Sequence, residues 1–170
     1  MTPERRAAFS VNVAAAIDRA LEDPDRPVPE SPQMPAHRAA LIGSACGVCR
    51  GSCCRHGGDH AYLFPDHFRR AMRHHPGRTR EELLEDYLSR LPAEAYRDSC
   101  VYHTPSGCSL PRELRSSLCN TFLCGGLEEM LEAQEKESVA RPVLALCLRD
   151  HGAELVRTAV FDDCGRPLIP

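Results

Sequence analysis

Apolar residues recur at helical spacing along much of the chain and gather into two short β-prone runs only near its end. Thr2-Pro3 supplies an N-cap and a proline at the first helical position, and Phe9, Val13, Ala16, Ile17, Ala20 and Leu21 follow on one face. This predicts an amphipathic helix over residues 1–22. Pro24, Pro27, Pro29, Pro32 and Pro35 then crowd into a segment that suits neither helix nor central strand. Residues 23–35 read as a Pro-rich linker or strap, through which the first helix docks on the main body or on a partner. Residues 36–170 are expected to form the principal domain. There, Ala39, Ala40, Leu41 and Ile42 predict a short helix running into Cys46, and Gly47 and Gly51 suit a tight loop around a bound group. A helix is expected over 66–74, ended by Pro76-Gly77. Thr79-Arg80-Glu81-Glu82 is a capping box opening another to about Arg90, with Leu83, Leu84, Tyr87 and Leu88 inward. Pro111 starts a helix through Cys119. Leu127, Met130, Leu131 and Gln134 mark an acidic helix after Gly125-Gly126. The runs 143–148 and 155–161 are β-prone and flank Asp150-His151-Gly152, which predicts a C-terminal antiparallel hairpin. The expected class is α+β: a helix-rich small domain with one β-hairpin.

Composition changes this picture in one respect. The 170 residues carry a net charge of -3 and are 42% hydrophobic, as in an ordinary globular chain, but ten cysteines stand beside five Phe, four Tyr and no Trp. Thiols occupy places that large aromatic side chains normally fill. No apolar stretch approaches the ~18 residues that a membrane span needs. Glu4, Arg5 and Arg6, with Asn12 and Asp18 interrupting the apolar run, do not read as a secretory leader. A cytoplasmic location is therefore expected, where thiols stay reduced and serve as metal ligands or redox groups rather than as five disulfides. The slightly acidic balance argues against nucleic-acid binding. Arg69, Arg70, Arg73, Arg78 and Arg80 form a local basic stretch, read at helical spacing as a solvated face.

Eight cysteines form two groups: Cys46-x2-Cys49-x3-Cys53-Cys54, and Cys100-x7-Cys108-x10-Cys119-x4-Cys124. A C-x-x-C turn converges two sulfurs on one metal, and thiolates suit Zn²⁺ or iron–sulfur clusters while serving Mg²⁺ and Ca²⁺ poorly. Adjacent side chains diverge, so Cys53 and Cys54 are expected to reach different metals, different irons of one cluster, or one metal and one core contact. Cys147, inside the run 143–148, reads as a small buried hydrophobe, and Cys164 as a bystander.

With these residues in view, the chain resembles the bacterial cysteine-cluster family of zinc- or iron-chelating domains that carries the signature CxxCxxCC. The resemblance spans residues 46–124, and Pro65-Asp66 with the following helix is similar to the family's segment between the two cysteine groups. It implies a small metal-chelating protein whose metal is zinc or an iron–sulfur cluster, held by Cys46, Cys49, Cys53, Cys54, Cys108 and Cys119, with Cys100 and Cys124 as further candidates. Three features depart from the family pattern. Arg50-Gly51-Ser52 is one residue longer than the usual spacer, Pro111-Arg112 stands for the usual Arg-Pro, and Asn120 replaces an Arg.

His56, His60 and His103 lie near the cysteines and could complete a mixed Cys/His site. His74-His75 suits the carbonyl end of a helix. Asp162-Asp163 and Asp23/Asp25 read as solvated turn residues. Phosphate loops, H-E-x-x-H and G-x-S-x-G are absent, so a catalytic motif is not visible and a non-enzymatic role is expected. One C-x-x-C knuckle, where zinc ribbons carry two, leans the metal toward iron–sulfur. The alternatives are a cluster-dependent protein-modifying enzyme, since flagellin lysine methylases carry a similar signature, and a zinc-stabilised module that meets a protein partner through the first helix or the acidic helix.

Overall fold

Thr2 caps the first helix as expected: its hydroxyl accepts the Arg5 N–H at 3.3 Å, and Pro3 opens the helical turn. The computed structural model describes residues 1–30, 34–49, 52–137, 142–149 and 154–168. In chain order these form α1 (Pro3–Glu22), α2 (Ala36–Cys49), α3 (Ser52–Gly57), α4 (Pro65–His74), α5 (Arg80–Leu88), β1 (His103–Thr104), β2 (Gly107–Cys108), a 3-10 turn (Arg112–Leu114), α6 (Ser117–Thr121), α7 (Gly125–Glu137), β3 (Val143–Arg149) and β4 (Glu154–Phe161). The class is α+β. Packing divides the chain into two units at places other than residues 22 and 35. One contains Met1–Pro32, Cys53–Thr104 and Cys108–Thr121; the other contains Gln33–Ser52, Pro105–Gly107 and Phe122–Pro170. No helix among the described residues is long and apolar enough to cross a membrane.

In the first unit α1 is part of the core. Phe9, Val13, Ile17 and Ala20 are buried to 1% exposure or less and pack with Phe68, Leu83, Tyr87 and Tyr102. Leu21, at the edge of the predicted stripe, stays 42% exposed. The rings meet edge to face, Phe9 with Tyr102 at 5.4 Å and Phe68 with Tyr87 at 5.3 Å. Thr79 and Glu82 form the predicted capping box of α5. Buried His67 meets the Tyr87 hydroxyl through Nε2 at 2.6 Å, while Tyr102 donates to the Tyr87 carbonyl at 2.7 Å. Burial, followed by the charge of Arg70, pushes the His67 pKa down to about 3, so its ring is neutral.

The basic stretch is a solvated face only in part: Arg73 and Arg78 are exposed, but Arg69 and Arg70 are buried. Arg69 is 5% exposed and donates to the Asp23 carbonyl (2.7 Å), the Arg19 carbonyl (2.9 Å) and the Asp66 carboxylate (2.6 Å). It thereby satisfies carbonyls that the end of α1 leaves without helical partners. Arg70 donates to the Pro29 carbonyl, Arg73 to the Val28 carbonyl and Glu30, and His74 meets Glu30. The described part of the Pro-rich strap is thus bound along α4. Residues 31–33 lie outside the described residues. A proline-rich strand has unpaired carbonyls but few N–H groups, which is why arginines rather than a partner strand hold it.

In the second unit α2 packs against the β3–β4 hairpin through Leu41, Ala45 and Val48 on one side and Ala145 and Phe161 on the other. The strands are antiparallel, pairing Val143 with Phe161 and Cys147 with Arg157, with an irregularity after Cys147. Alternation buries Ala145 and Cys147 and leaves Leu144 and Leu146 exposed. The expected turn at Asp150-His151-Gly152 lies outside the described residues. Gly165 has φ of 79°, and a Cβ there would stand 2.8 Å from backbone atoms of Ala40 and Leu41.

Two local expectations change. Cys46 and Cys49 do not sit in a knuckle loop, because α2 continues through both. Gly47 serves close approach instead: a Cβ would stand 3.0 Å from the Gly107 nitrogen and 3.1 Å from the Ser106 carbonyl carbon. Gly51 lies outside the described residues. The single helix expected from Pro111 to Cys119 is broken in two, since Arg115 is extended at ψ 153° and turns its guanidinium back to the Leu110 and Cys108 carbonyls.

Candidate metal centre

Three segments of the first unit bring five of the predicted ligands together. Cys53 and Cys54 open α3, which is held by the Tyr62 hydroxyl donating to the Cys53 carbonyl at 3.1 Å. Cys100 N–H donates to the Cys54 carbonyl at 2.8 Å, and Val101 N–H to the Gly58 carbonyl at 3.0 Å, so residues 53–58 run beside 100–101. The approach requires glycine at 57, where a Cβ would meet Cys100 Cβ at 3.2 Å and Tyr62 Cε2 at 3.3 Å. The two-residue strands β1 and β2 return the chain to Cys108, whose carbonyl accepts from Arg115 at 3.2 Å. Cys119, on α6, donates its N–H to Ser116 Oγ at 3.2 Å. Arg112 and Asn120 are partners here. Asn120 Nδ2 donates to the Arg112 carbonyl at 2.9 Å, and Arg112 donates to the Asn120 carbonyl at 3.2 Å.

The thiols influence one another strongly. A hydrogen bond from the Cys54 side chain, aided by the N–H groups of Cys54 and Cys53 and by His56, outweighs burial and pulls Cys53 down to about 6. These interactions favour the thiolate form of Cys53. Burial, with the charges of Cys108 and Cys119, drives Cys100 up to about 12 against the opposing pull of the Tyr102 N–H and Arg5. Cys119 is raised by burial, then by Cys108 and Cys53, while Ser116 and Arg115 oppose the rise. Tyr62 is raised by burial and then by Cys119, Cys53, Cys54 and Cys100 together. Like charges crowded in this way ionise together only when a cation joins them. The donor set of soft sulfurs, with N–H groups directed at Cys53 and Cys100, fits a thiolate-bound metal or cluster.

The other predicted ligands belong to the second unit. Cys46 and Cys49 stand one turn apart on α2, with Cys49 Sγ 3.7 Å from the Cys46 carbonyl. Cys124 is exposed before α7, and its carbonyl accepts the Leu127 and Glu128 N–H groups. Cys147 is 4% exposed in β3, matching its reading as a core residue. Cys164 lies in an exposed turn around Asp162, whose carboxylate accepts its N–H at 2.9 Å. Among the described residues, the only trio of His, Cys, Asp or Glu with all ligand atoms within 4.8 Å is Asp162, Asp163 and Cys164.

The histidines divide. His56 is exposed beside Cys53 and adds its charge there. His60 accepts the Tyr62 N–H on Nδ1 at 3.0 Å and stacks on Phe64. His103 is a core residue, 1% exposed, with Nδ1 2.7 Å from Ser99 Oγ. Sequence reasoning did not single out Tyr62 or Arg5. Arg5 leaves α1 to bind Asp59 (2.6 Å), the Tyr96 carbonyl (2.7 Å) and the Ser99 carbonyl, next to Cys100. No pattern in the chain announces either contact, although Gly57-Gly58 is a signal of close approach. No family model, curated protein or solved structure matches this chain.

Proposed function

We propose that this chain is a cytoplasmic thiolate metalloprotein that binds an iron–sulfur cluster in preference to zinc. The observation that carries the reading is the convergence of Cys53, Cys54, Cys100, Cys108 and Cys119, from three separate segments, in one unit. A tetrahedral zinc site needs its sulfurs about 3.8 Å apart. Among the described residues no three thiols are that close. A cluster of several irons holds its cysteine sulfurs farther apart than a single tetrahedral ion does, which suits thiols gathered in one unit without a close trio. When bound, such a cluster supplies one-electron redox chemistry and cross-links the segments that hold it.

The chain's own residues tune and enclose the group. The N–H groups of Cys54 and Tyr102 stabilise charge on Cys53 and Cys100. Arg5 and Arg115 supply positive charge near Cys100 and Cys119. Purification without air, followed by metal and acid-labile sulfide analysis, tests the reading. Iron and sulfide with a broad absorption near ~400 nm are expected. A colourless protein with stoichiometric zinc would replace the cluster by zinc, and folded protein with neither metal would overturn metal binding altogether. Single replacements of Cys46, Cys49 and Cys124 then show whether the ligand set extends beyond the five thiols of the first unit.

A further inference from the structure

Ala61 and Tyr62 have φ of 49° and 55°, two successive left-handed residues that both carry side chains. Such backbone is unfavourable wherever a Cβ is present, and persists only when the surroundings over-determine it. Here Ala61 N–H donates to the Gly57 carbonyl at 2.7 Å, and Tyr62 N–H to His60 Nδ1 at 3.0 Å. The turn brings the Tyr62 ring onto the cysteine segments. Its hydroxyl donates to the Cys53 carbonyl at 3.1 Å. Its Cε2 edge flanks Gly57 at the point where a Cβ would also lie 3.5 Å from Cys100 Sγ. His60 and Phe64 back the ring at centroid distances of 5.3 and 6.3 Å.

We propose that Tyr62 is the positioning residue of the thiol centre: its ring closes the centre to water, and its hydroxyl sets the Cys53 segment where Cys53 and Cys100 reach one bound group. The proposal rests on the metal-binding reading and deepens it. An aromatic residue serving only as core filler needs no left-handed backbone and no bond to the carbonyl of a ligand-bearing residue. Water exclusion slows loss of the group. It also disfavours the more charged reduced form, because an added electron is less stabilised in a dry site.

The test uses the full chain purified without air, as wild type, Tyr62→Gly, Tyr62→Asn and Tyr62→Phe. Glycine and asparagine tolerate left-handed backbone, so they remove the ring without adding strain. The expected result is a folded Tyr62→Gly protein, no less resistant to urea than wild type, that loses iron to a ferrous chelator roughly 10–100-fold faster. Its reduction potential, followed by absorption, shifts positive. Tyr62→Phe keeps the ring and falls between the two. Wild-type rates and potential in Tyr62→Gly and Tyr62→Asn would overturn the role of Tyr62 and leave the metal-binding reading intact. Failure of both to fold would assign Tyr62 to the core and likewise overturn it. A wild-type chain that takes up no metal removes the reading itself, and this role with it.

Discussion

Arg69→Ala removes a buried guanidinium that three acceptors share. Two are main-chain carbonyls at the end of α1, Arg19 and Asp23, and the third is the Asp66 carboxylate, whose side chain is 51% exposed. A hydrogen bond with a charged partner contributes about 1.5–3 kcal/mol. The Asp66 contact belongs at or below the low end because water screens it. The two carbonyls lose their donor where the side chain had excluded solvent, and water entering the vacated space recovers part of each bond. Together these place the cost at roughly 3–5 kcal/mol, in the range for breaking a buried charged contact. That is a large part of the 5–15 kcal/mol stability typical of a domain. Arg69→Lys keeps the charge but lacks the fork, so it should lose more than half as much. Arg80→Ala is the control, since its pair with Asp18 is exposed and water screens it. Urea unfolding with unchanged slope is the assay. A cost for Arg69→Ala no greater than that for Arg80→Ala would mean that the end of α1 needs no clamp.

The remaining predictions are shorter. Cys147→Ala should cost about 1–2 kcal/mol as a packing loss and leave metal content unchanged, whereas Cys53→Ala should abolish binding; equal metal loss in both would refute the division. Gly165→Ala forces a Cβ to 2.8 Å from the α2 backbone at a positive φ, and should lower stability by about 2 kcal/mol or more in thermal unfolding. The depressed His67 pKa stabilises the fold fully above its unfolded value of about 6.5 and loses that contribution as pH falls toward 3, so Tyr87 and its neighbours should destabilise across that window in wild type and less steeply in His67→Gln. Removing metal should speed amide exchange over 53–58 and 100–121 far more than over 9–20, and equal rates throughout would refute the coupling of metal to local fold.

Helix ends with local chemistry were legible. Thr2-Pro3 and the Thr79–Glu82 box each satisfy their own N–H groups within one turn, so tertiary context was not needed. The hairpin was legible because two β-prone apolar runs flanking a turn signal act over neighbouring positions. The cysteine spacing pointed to eight residues, of which five meet in one unit and three lie in the other, and the same spacing suggested a loop where α2 runs on through Cys46 and Cys49. Gly47 suggests a bend from sequence, but its absent side chain instead admits the backbone of residues 106–107. Nothing adjacent in sequence reveals that contact. Arg69 and Arg70 misled for the same reason: charge predicts solvent until a helix end and a proline-rich segment, short of N–H donors, leave carbonyls that guanidinium groups can satisfy.

The order in which the chain leaves and rejoins its first unit imposes a schedule on synthesis. Cys53 and Cys54 emerge early, but Cys119 follows about 65 residues later, which at 5–20 residues per second is a wait of roughly 3–13 s. During that interval Cys53 lacks Cys119, and the Arg115 that pairs with the Cys108 carbonyl has not been made. A vicinal thiol pair so exposed is open to stray oxidants and to whichever soft metal arrives first. On the metal-binding reading proposed above, loading belongs after translation of residue 119. A nascent chain stalled before that point should bind metal loosely, exchange it freely, and depend on a reducing surrounding to finish intact.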